Sequence, residues 1–199
     1  MTSLTRRAHP LPHARQIELL ARAQRGDFAA FEDLVGAHAA HLFAVSLRLV
    51  GDVGDAEDVV QETLLRAWRG IARFRRSSEF STWLHRIAVN EANRSLGRRA
   101  RRPDTVHLNP EQLQVRSSPD QGPARQAEYE ELRAALEKTL LALPLPYRTA
   151  VILRDIEGLS TRQAAEIAGI GEAAFKSRLH HARLKLRAAL GDEALIAAG

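Results

Sequence analysis

The chain has no cysteine, few aromatic residues and no long uncharged apolar run. Without cysteine it has no disulfide, no thiolate nucleophile and no cysteine zinc site, which fits a reducing compartment. No uncharged apolar segment approaches the roughly 18 residues that a membrane span needs, and the basic N-terminus is not followed by the apolar stretch of a signal peptide. We therefore expect a cytoplasmic protein without membrane insertion.

Helix-forming and basic residues are abundant instead. Of 199 residues, 45% are hydrophobic, 27% are charged and only 5% are aromatic, and the richness in Ala and Leu favours helices. The formal net charge is +5, and all but three of the 29 basic residues are arginine. Clustered cations favour a polyanionic partner such as nucleic acid, although a GC-rich genome would produce the same arginine bias.

Helical periodicity divides residues 1–102 into four predicted helices. A short helix lies at about 14 to 25, and a long one runs from an N-cap at Asp27 to Leu49. A helix with one apolar stripe, which includes Val60, Leu64 and Trp68, follows a turn at residues 51–55. The fourth begins at about Thr82 and ends in a basic run. Together these helices predict a small bundle.

The second half begins after a change of composition. Residues 103–126 contain four prolines and little apolar periodicity, which predicts a flexible linker that spans about 25 to 30 Å as a coil. In residues 127–191, two helices precede the capping-box spacing of Ser160 and Gln163, a helix end at Gly169 and a longer helix, which is the pattern of a helix-turn-helix. Residues 192–199 form a tail. We predict an all-α fold of two small helical domains.

The last predicted helix contains "GEAAFKSRLHHARLKLR", from residue 171. At 100° per residue, Phe175, Leu179, Ala182 and Leu186 fall within about 60° of each other and should be buried. The opposite arc is polar, and its basic, hydroxyl and imidazole groups suit phosphates and base edges. A solvated surface helix would show a similar arc, but the capped helix and tight turn before it favour a DNA-contacting helix.

The histidines do not predict a metal site. His180 and His181 are adjacent and point about 100° apart on a helix, so they cannot share an ion as an i, i+4 pair can. His38 and His41 have better spacing, but without a nearby carboxylate pattern we interpret them as solvated or core histidines. We expect no metal and no cofactor.

Three motifs in order carry a resemblance to a family. They are "DAEDVVQETLLRAW", "FSTWLHRIAVNEANRSLGRRARR" and "LPLPYRTAVILRDIEGLSTRQAAEIAGIGEAAFKSRLHHARLKLR". The chain resembles bacterial RNA polymerase sigma factors of the extracytoplasmic-function group. The resemblance implies a region two at residues 1–102 and a region four at residues 127–191. Its implied partners are core RNA polymerase, through the beta-prime and beta subunits, and promoter DNA, with an anti-sigma factor as a further candidate. It implies promoter-specific transcription initiation for a stress or envelope response.

The resemblance also implies a polymerase-binding face. Asp58, Gln61 and Glu62 match the D-x-x-Q-E pattern that docks on the beta-prime clamp helices. With Leu65 they share one helical face, opposite the apolar stripe. An acidic patch in a basic protein suits a basic protein surface better than DNA, although a solvated acidic face is the alternative.

Two DNA-binding sets follow from the resemblance. For recognition and opening of the minus-ten element, the candidates are Phe74, Arg75, Ser77, Ser78, Phe80 and Ser81 in a loop, and Arg86, Asn90, Asn93 and Arg94 on one helix face. Arg98, Arg99, Arg101 and Arg102 are candidates for phosphate contacts. For the minus-thirty-five element, they are Ser160, Thr161, Arg162, Glu172, Ala173, Lys176, Ser177, Arg178, His180 and His181. We interpret Trp83 and Leu84 as core residues.

Two other function classes compete with a sigma factor. A stand-alone helix-turn-helix regulator that binds an operator would leave the first half unexplained. A nuclease built on the carboxylates at residues 52–58 is disfavoured because they crowd a helix start, where they cap N–H groups and complement the dipole. The sequence carries no P-loop, nucleophile-base pattern or metal-ligand spacing, so we expect no enzyme.

Leu184 departs from the family, which commonly has a basic residue there.

Overall fold

The computed structural model describes residues 12–75, 79–100 and 123–190, with side chains in the last range from residue 133. Within these ranges every regular element is helical, which confirms the all-α prediction. The first half contains α1 (His13–Gln24), α2 (Phe28–Gly36), α3 (Ala39–Val50), α4 (Val53–Gly70), a 3₁₀ turn (Ile71–Arg73) and α5 (Phe80–Arg99). The second contains α6 (Pro123–Ala142), α7 (Leu145–Val151), a π-helical turn (Ile152–Ile156), α8 (Thr161–Ala168) and α9 (Glu172–Leu190).

The boundaries differ from the sequence expectation at two places. Asp27 caps α2 as expected, because its side chain accepts a hydrogen bond from the Ala30 amide at 3.0 Å. The single helix expected up to Leu49 is instead two helices, bent by 62° between Gly36 and Ala39. Glycine is a weak helix former, and the bend lets both helices pack on one core. Helix α6 begins at Pro123, four residues before the expected start of the second domain at residue 127.

Membrane-spanning potential is low for each described helix taken alone. None of them is both long and apolar enough to cross a membrane. The bent pair α2 and α3 meets the length and composition limits only when the two helices are counted together.

The first half has an aromatic-rich core at one end. Leu34, Phe31 and Leu84 are almost completely buried there, and the Trp68 ring lies 5.2 Å from that of Phe31. The apolar stripe of α4, including Val60, is partly buried against this core. This packing leaves the opposite side of α4 facing outward.

The two halves pack against each other and share a second core. Val45 and Leu49 of α3 and Val89 of α5 belong to one buried cluster with Ile152 and Phe175 of the second half. Helix α3 contacts α6 and α7, and α5 contacts α8. The sequence predicts two domains but not this contact. The apolar residues that form it belong to helical stripes that also pack within each half, so they carry no separate signal in the sequence.

Arg148 forms a polar link inside this shared core. It is 8% exposed, and its guanidinium donates hydrogen bonds to the carbonyls of Leu49, Leu141 and Leu143. Those carbonyls lie at the C-terminal ends of α3 and α6, where helix carbonyls lack intrahelical partners and a cation is favoured. Burial lowers the pKa of Arg148 to about 10, so the group stays charged at neutral pH. One side chain therefore satisfies helix ends from both halves.

Candidate nucleic-acid and protein interfaces

Helix α4 presents the expected acidic face to solvent. Asp52 caps its start by accepting a hydrogen bond from the Asp55 amide at 2.9 Å. The four candidate residues are all exposed, and they are Asp58, Gln61, Glu62 and Leu65. Leu65, the apolar member of this set, is 49% exposed. Two carboxylates beside an exposed leucine make a surface suited to a protein partner that offers cations and an apolar contact.

The loop before α5 differs from the sequence expectation. Phe74 and Phe80, expected to contact DNA, are 7% and 4% exposed and lie in the core of the first half. The Phe74 ring lies 5.8 Å from Phe80 and 4.9 Å from Trp83. Burial of large aromatic rings is strongly favourable, so both phenylalanines serve the core of the first half. Among their neighbours, Arg75 is exposed and Ser81 is half-buried.

Some loop and helix-end candidates lie outside the described residues. These are Ser77, Ser78, Arg101 and Arg102. Of the two core expectations for this segment, Leu84 is buried and Trp83 is half-buried against the same aromatic cluster.

The outer face of α5 carries most of the minus-ten candidates. Asn90, Asn93 and Arg94 are exposed and Arg86 is half-buried. Arg98 is also exposed at the end of the helix. Arg99 is instead paired with Asp55 of α4, so part of its charge is neutralised within the protein. The face is therefore polar and basic, and Arg99 at its end is engaged within the fold.

A buried glutamate organises a groove beside this face. The Glu91 side chain is 3% exposed and pairs with Arg66 of α4, at 2.6 Å from its Nε, and with Arg94. Both arginines remain about half exposed. Together with Arg69 and Asn90 they line a groove between α4 and α5. Sequence analysis missed Glu91 and Arg66, because their pairing joins two helices and leaves no pattern in either one.

The helix-turn-helix has the predicted construction. The Ser160 hydroxyl accepts a hydrogen bond from the Gln163 backbone amide at 3.2 Å. The Gln163 side-chain oxygen accepts one from the Ser160 backbone amide, which completes the capping box. Gly169 ends α8 with φ +66°. The predicted seam of α9 is buried, with Phe175 and Ala182 at 0% exposure.

The minus-thirty-five candidates lie along the start of α8 and the open side of α9. Exposed members are Ser160, Arg162, Glu172, Ala173, Lys176, Ser177, His180 and His181, and half-buried members are Thr161 and Arg178. Leu184 is 45% exposed on α9. The structure therefore brings together a helix start and a long helix whose outer side is free of the shared core.

Comparison with known proteins agrees with this arrangement. Residues 34–102 match the family Sigma-70 region 2, and residues 133–186 match Sigma-70, region 4. The RNA polymerase sigma-H factor of Pseudomonas aeruginosa is 34% identical over 178 residues, which cover 87% of this chain and 92% of the relative. The chain belongs to the sigma-70 family of RNA polymerase sigma factors, in the extracytoplasmic-function group. The family prediction is confirmed.

Two further comparisons refine the placement of this sigma factor. The ECF RNA polymerase sigma-E factor of Salmonella typhimurium is 35% identical over 170 residues, covering 83% of this chain and 88% of the relative. The solved sigma factor RpoE of Bartonella quintana, in complex with the anti-sigma factor NepR, has a TM-score of 0.65. Its identity is 26%, and the alignment covers 81% of this chain and 97% of that one. As a sigma factor, the protein directs promoter-specific transcription initiation with RNA polymerase.

The two matched regions contact each other through α5 and α8 in this sigma factor. Arg86 of α5 lies 3.9 Å from Glu166 of α8. Helix α8 therefore covers part of the minus-ten candidate face.

Proposed function

We propose that this sigma factor divides its work among three surfaces. Asp58, Gln61, Glu62 and Leu65 of α4 bind core RNA polymerase. The open face of α5, with the groove beside it, binds the minus-ten element. The start of α8 and the outer side of α9 bind the minus-thirty-five element. The observation that carries this division is the groove between α4 and α5, whose arginines adjoin the exposed carboxylates of α4, with Arg66 at 3.9 Å from Glu62.

Charge supports the first two assignments. DNA repels the acidic face of α4, whereas Arg66 and Arg94 are held beside each other by the buried Glu91. Two cations brought together by a buried anion lose less side-chain freedom when a phosphate or base edge arrives. Arg69 and Asn90 extend the same groove. The groove between α4 and α5 is therefore suited to a DNA strand, and the exposed face with Asp58 and Glu62 to a protein.

Helix α9 supports the third assignment through its exposed N-terminal turns. In a helix-turn-helix the N-terminal residues of the second helix contact base edges in the major groove. Glu172, Lys176 and Ser177 occupy those turns and are exposed. A glutamate accepts from cytosine N4, and a lysine donates to guanine. His180 and His181 lie further along, where phosphate contacts are favoured.

The described arrangement is a closed form that must open on a promoter. The minus-ten and minus-thirty-five elements are separated by about 25 base pairs, or about 85 Å at about 3.4 Å per base pair. Here α5 touches α8 and α8 touches α9, and packed helices lie about 8–10 Å apart. The 22 residues between Ala100 and Pro123 extend to about 75 Å. With the lengths of the flanking helices, that reach allows both elements to be bound once the halves separate.

Partners and compartment follow from the same proposal. The matched Bartonella sigma factor is in complex with an anti-sigma factor, and we extend a partner of that kind to this chain. Core polymerase and promoter DNA place its work in the cytoplasm. We also propose that the chain has no catalytic activity of its own: Asp52 caps α4 and Asp55 pairs with Arg99, so these carboxylates are engaged in the fold.

A charge-reversal experiment tests the polymerase-binding face. The double variant Asp58→Lys, Glu62→Lys should weaken association with purified core polymerase by at least about tenfold, while far-UV circular dichroism stays unchanged. The matched control reverses two exposed acidic residues of α2, Glu32→Lys and Asp33→Lys, and should bind as the natural protein does. Equal binding by both double variants would remove the assignment of the α4 face.

A further inference from the structure

Three groups with metal-binding atoms meet where the two halves touch. His41 of α3, His85 of α5 and Glu157, which follows the π-helical turn, each place one ligand atom within 4.8 Å of the others. The His41 and His85 rings are 5.3 Å apart and nearly perpendicular. Two histidines come from the first half and the carboxylate from the second, so the cluster exists only in the closed form.

His85 is buried without a hydrogen-bond partner. Its side chain is part of a residue that is 6% exposed, and among the described residues neither ring nitrogen has a partner in hydrogen-bond geometry. A buried, unpaired polar group is costly. Burial lowers the pKa of His85 to about 4. A backbone contact with Ser81, which falls short of hydrogen-bond geometry, acts in the opposite direction and raises the pKa. The buried ring therefore lacks the partner that its nitrogens require.

Glu157 is held so that its two oxygens face different groups. Its side chain is 4% exposed, with Oε2 against Nε2 of His41 and Oε1 at 3.6 Å from Arg48. The Arg48 contact fixes the carboxylate through Oε1, and a cation would take the place of the hydrogen bond that now joins Oε2 to Nε2 of His41. Outer contacts of this kind orient the ligands of protein metal sites.

We propose that His41, His85 and Glu157 form a binding site for a zinc-type divalent ion that joins the two halves. Two imidazoles and one carboxylate are a ligand set that Zn²⁺ accepts, with water in the fourth position. Zn–N distances of about 2.0–2.1 Å put tetrahedral ligand atoms about 3.3 Å apart. The ligand atoms lie within 4.8 Å of one another, and those of His41 and Glu157 are already in contact, so shifts of no more than about 1.5 Å give all three the tetrahedral spacing.

An occupied site opposes opening of the protein. The ion binds the closed form and loses its carboxylate ligand when the halves separate, so it shifts the population towards the closed form. This consequence rests on the proposed function, in which the halves separate on a promoter. Binding of the ion itself does not, so failure of the site leaves the sigma-factor assignment untouched.

Zinc titration of the full-length chain tests the site. Zn²⁺ added to metal-stripped protein in a calorimeter should bind one ion per chain. Loss of an outer contact costs about 10–100-fold in metal affinity, so loss of a ligand in His41→Ala or Glu157→Gln should cost at least that much. Glu157→Gln keeps the shape of the side chain, and His41 is exposed, so both variants should fold; circular dichroism checks this.

The matched control removes the other close histidine pair. His180 and His181 are exposed, with rings 5.7 Å apart, and are the natural competitor for an adventitious ion. The double variant His180→Ala, His181→Ala should retain the tight ion. Visible absorption of bound Co²⁺ should report tetrahedral coordination in the natural chain and disappear in Glu157→Gln. Equal zinc affinity in the natural chain and Glu157→Gln, or loss of the ion in the α9 double variant, would overturn the proposal.

Discussion

Replacing Arg148 with methionine should destabilise the protein more than any single surface change. The guanidinium of Arg148 donates to the carbonyls of Leu49, Leu141 and Leu143, at the ends of α3 and α6. Methionine keeps much of the buried volume but donates nothing. Three carbonyls in the shared core would then lack a donor, and the two halves would lose their polar link.

The expected loss is a difference between two larger quantities. Hydrogen bonds from a charged group contribute about 1.5–3 kcal/mol each, or about 4.5–9 kcal/mol for three. Against this stands the cost of burying the charge: burial lowers the pKa of Arg148 from its ordinary value to about 10, which corresponds to about 3 kcal/mol. The net loss on substitution is about 1–6 kcal/mol.

Urea unfolding followed by circular dichroism measures this loss. The matched control is Arg183→Met, because Arg183 is 55% exposed and its pair with Asp155 lies at the surface. An exposed ion pair contributes about 0–1 kcal/mol, so the control should shift the midpoint little. If Arg148→Met stays within about 0.5 kcal/mol of the Arg183 variant, the buried hydrogen bonds do not link the halves as described.

Two further predictions address the helix-turn-helix and the end of α5. Gly169→Ala should cost about 1 kcal/mol because Gly169 has φ +66° in open space. Gly36 is helical and also has open space around it, so Gly36→Ala should raise the free energy of unfolding by up to about 1 kcal/mol. Equal thermal midpoints for the two variants would contradict the backbone argument. Replacing the exposed Arg98 with alanine should flatten the salt dependence of promoter binding by the polymerase complex by about 0.9 log unit per lost phosphate contact. An unaltered slope would make Arg98 a solvated helix end.

Sequence periodicity was sufficient for the features that arise within one helix. The buried seam of α9 with Phe175, the capping box at Ser160 and the cap at Asp27 each depend on neighbours three or four residues apart. The exposed face of α4 follows from the same spacing. Such features are visible in sequence because one helical turn repeats every 3.6 residues.

Contacts between distant segments were not visible in the sequence. Phe74 sits in a polar loop sequence and is buried, because the cluster that receives it comes from other helices. Glu91 pairs with Arg66 across two helices. His41 gains its carboxylate neighbour from Glu157, which lies beyond the linker, so a search for local metal-ligand spacing dismisses it. Each requires the packing of whole helices to be known.

Transcription with purified components tests the central claim most directly. The protein, core RNA polymerase and a library of randomised promoters are combined, and the start sites of the RNA products are sequenced. The account predicts initiation at a defined subset of promoters when both proteins are present, together with weak binding of duplex promoter DNA by the protein alone. Tight sequence-specific DNA binding without polymerase, with no polymerase-dependent initiation, would contradict it and favour a stand-alone regulator.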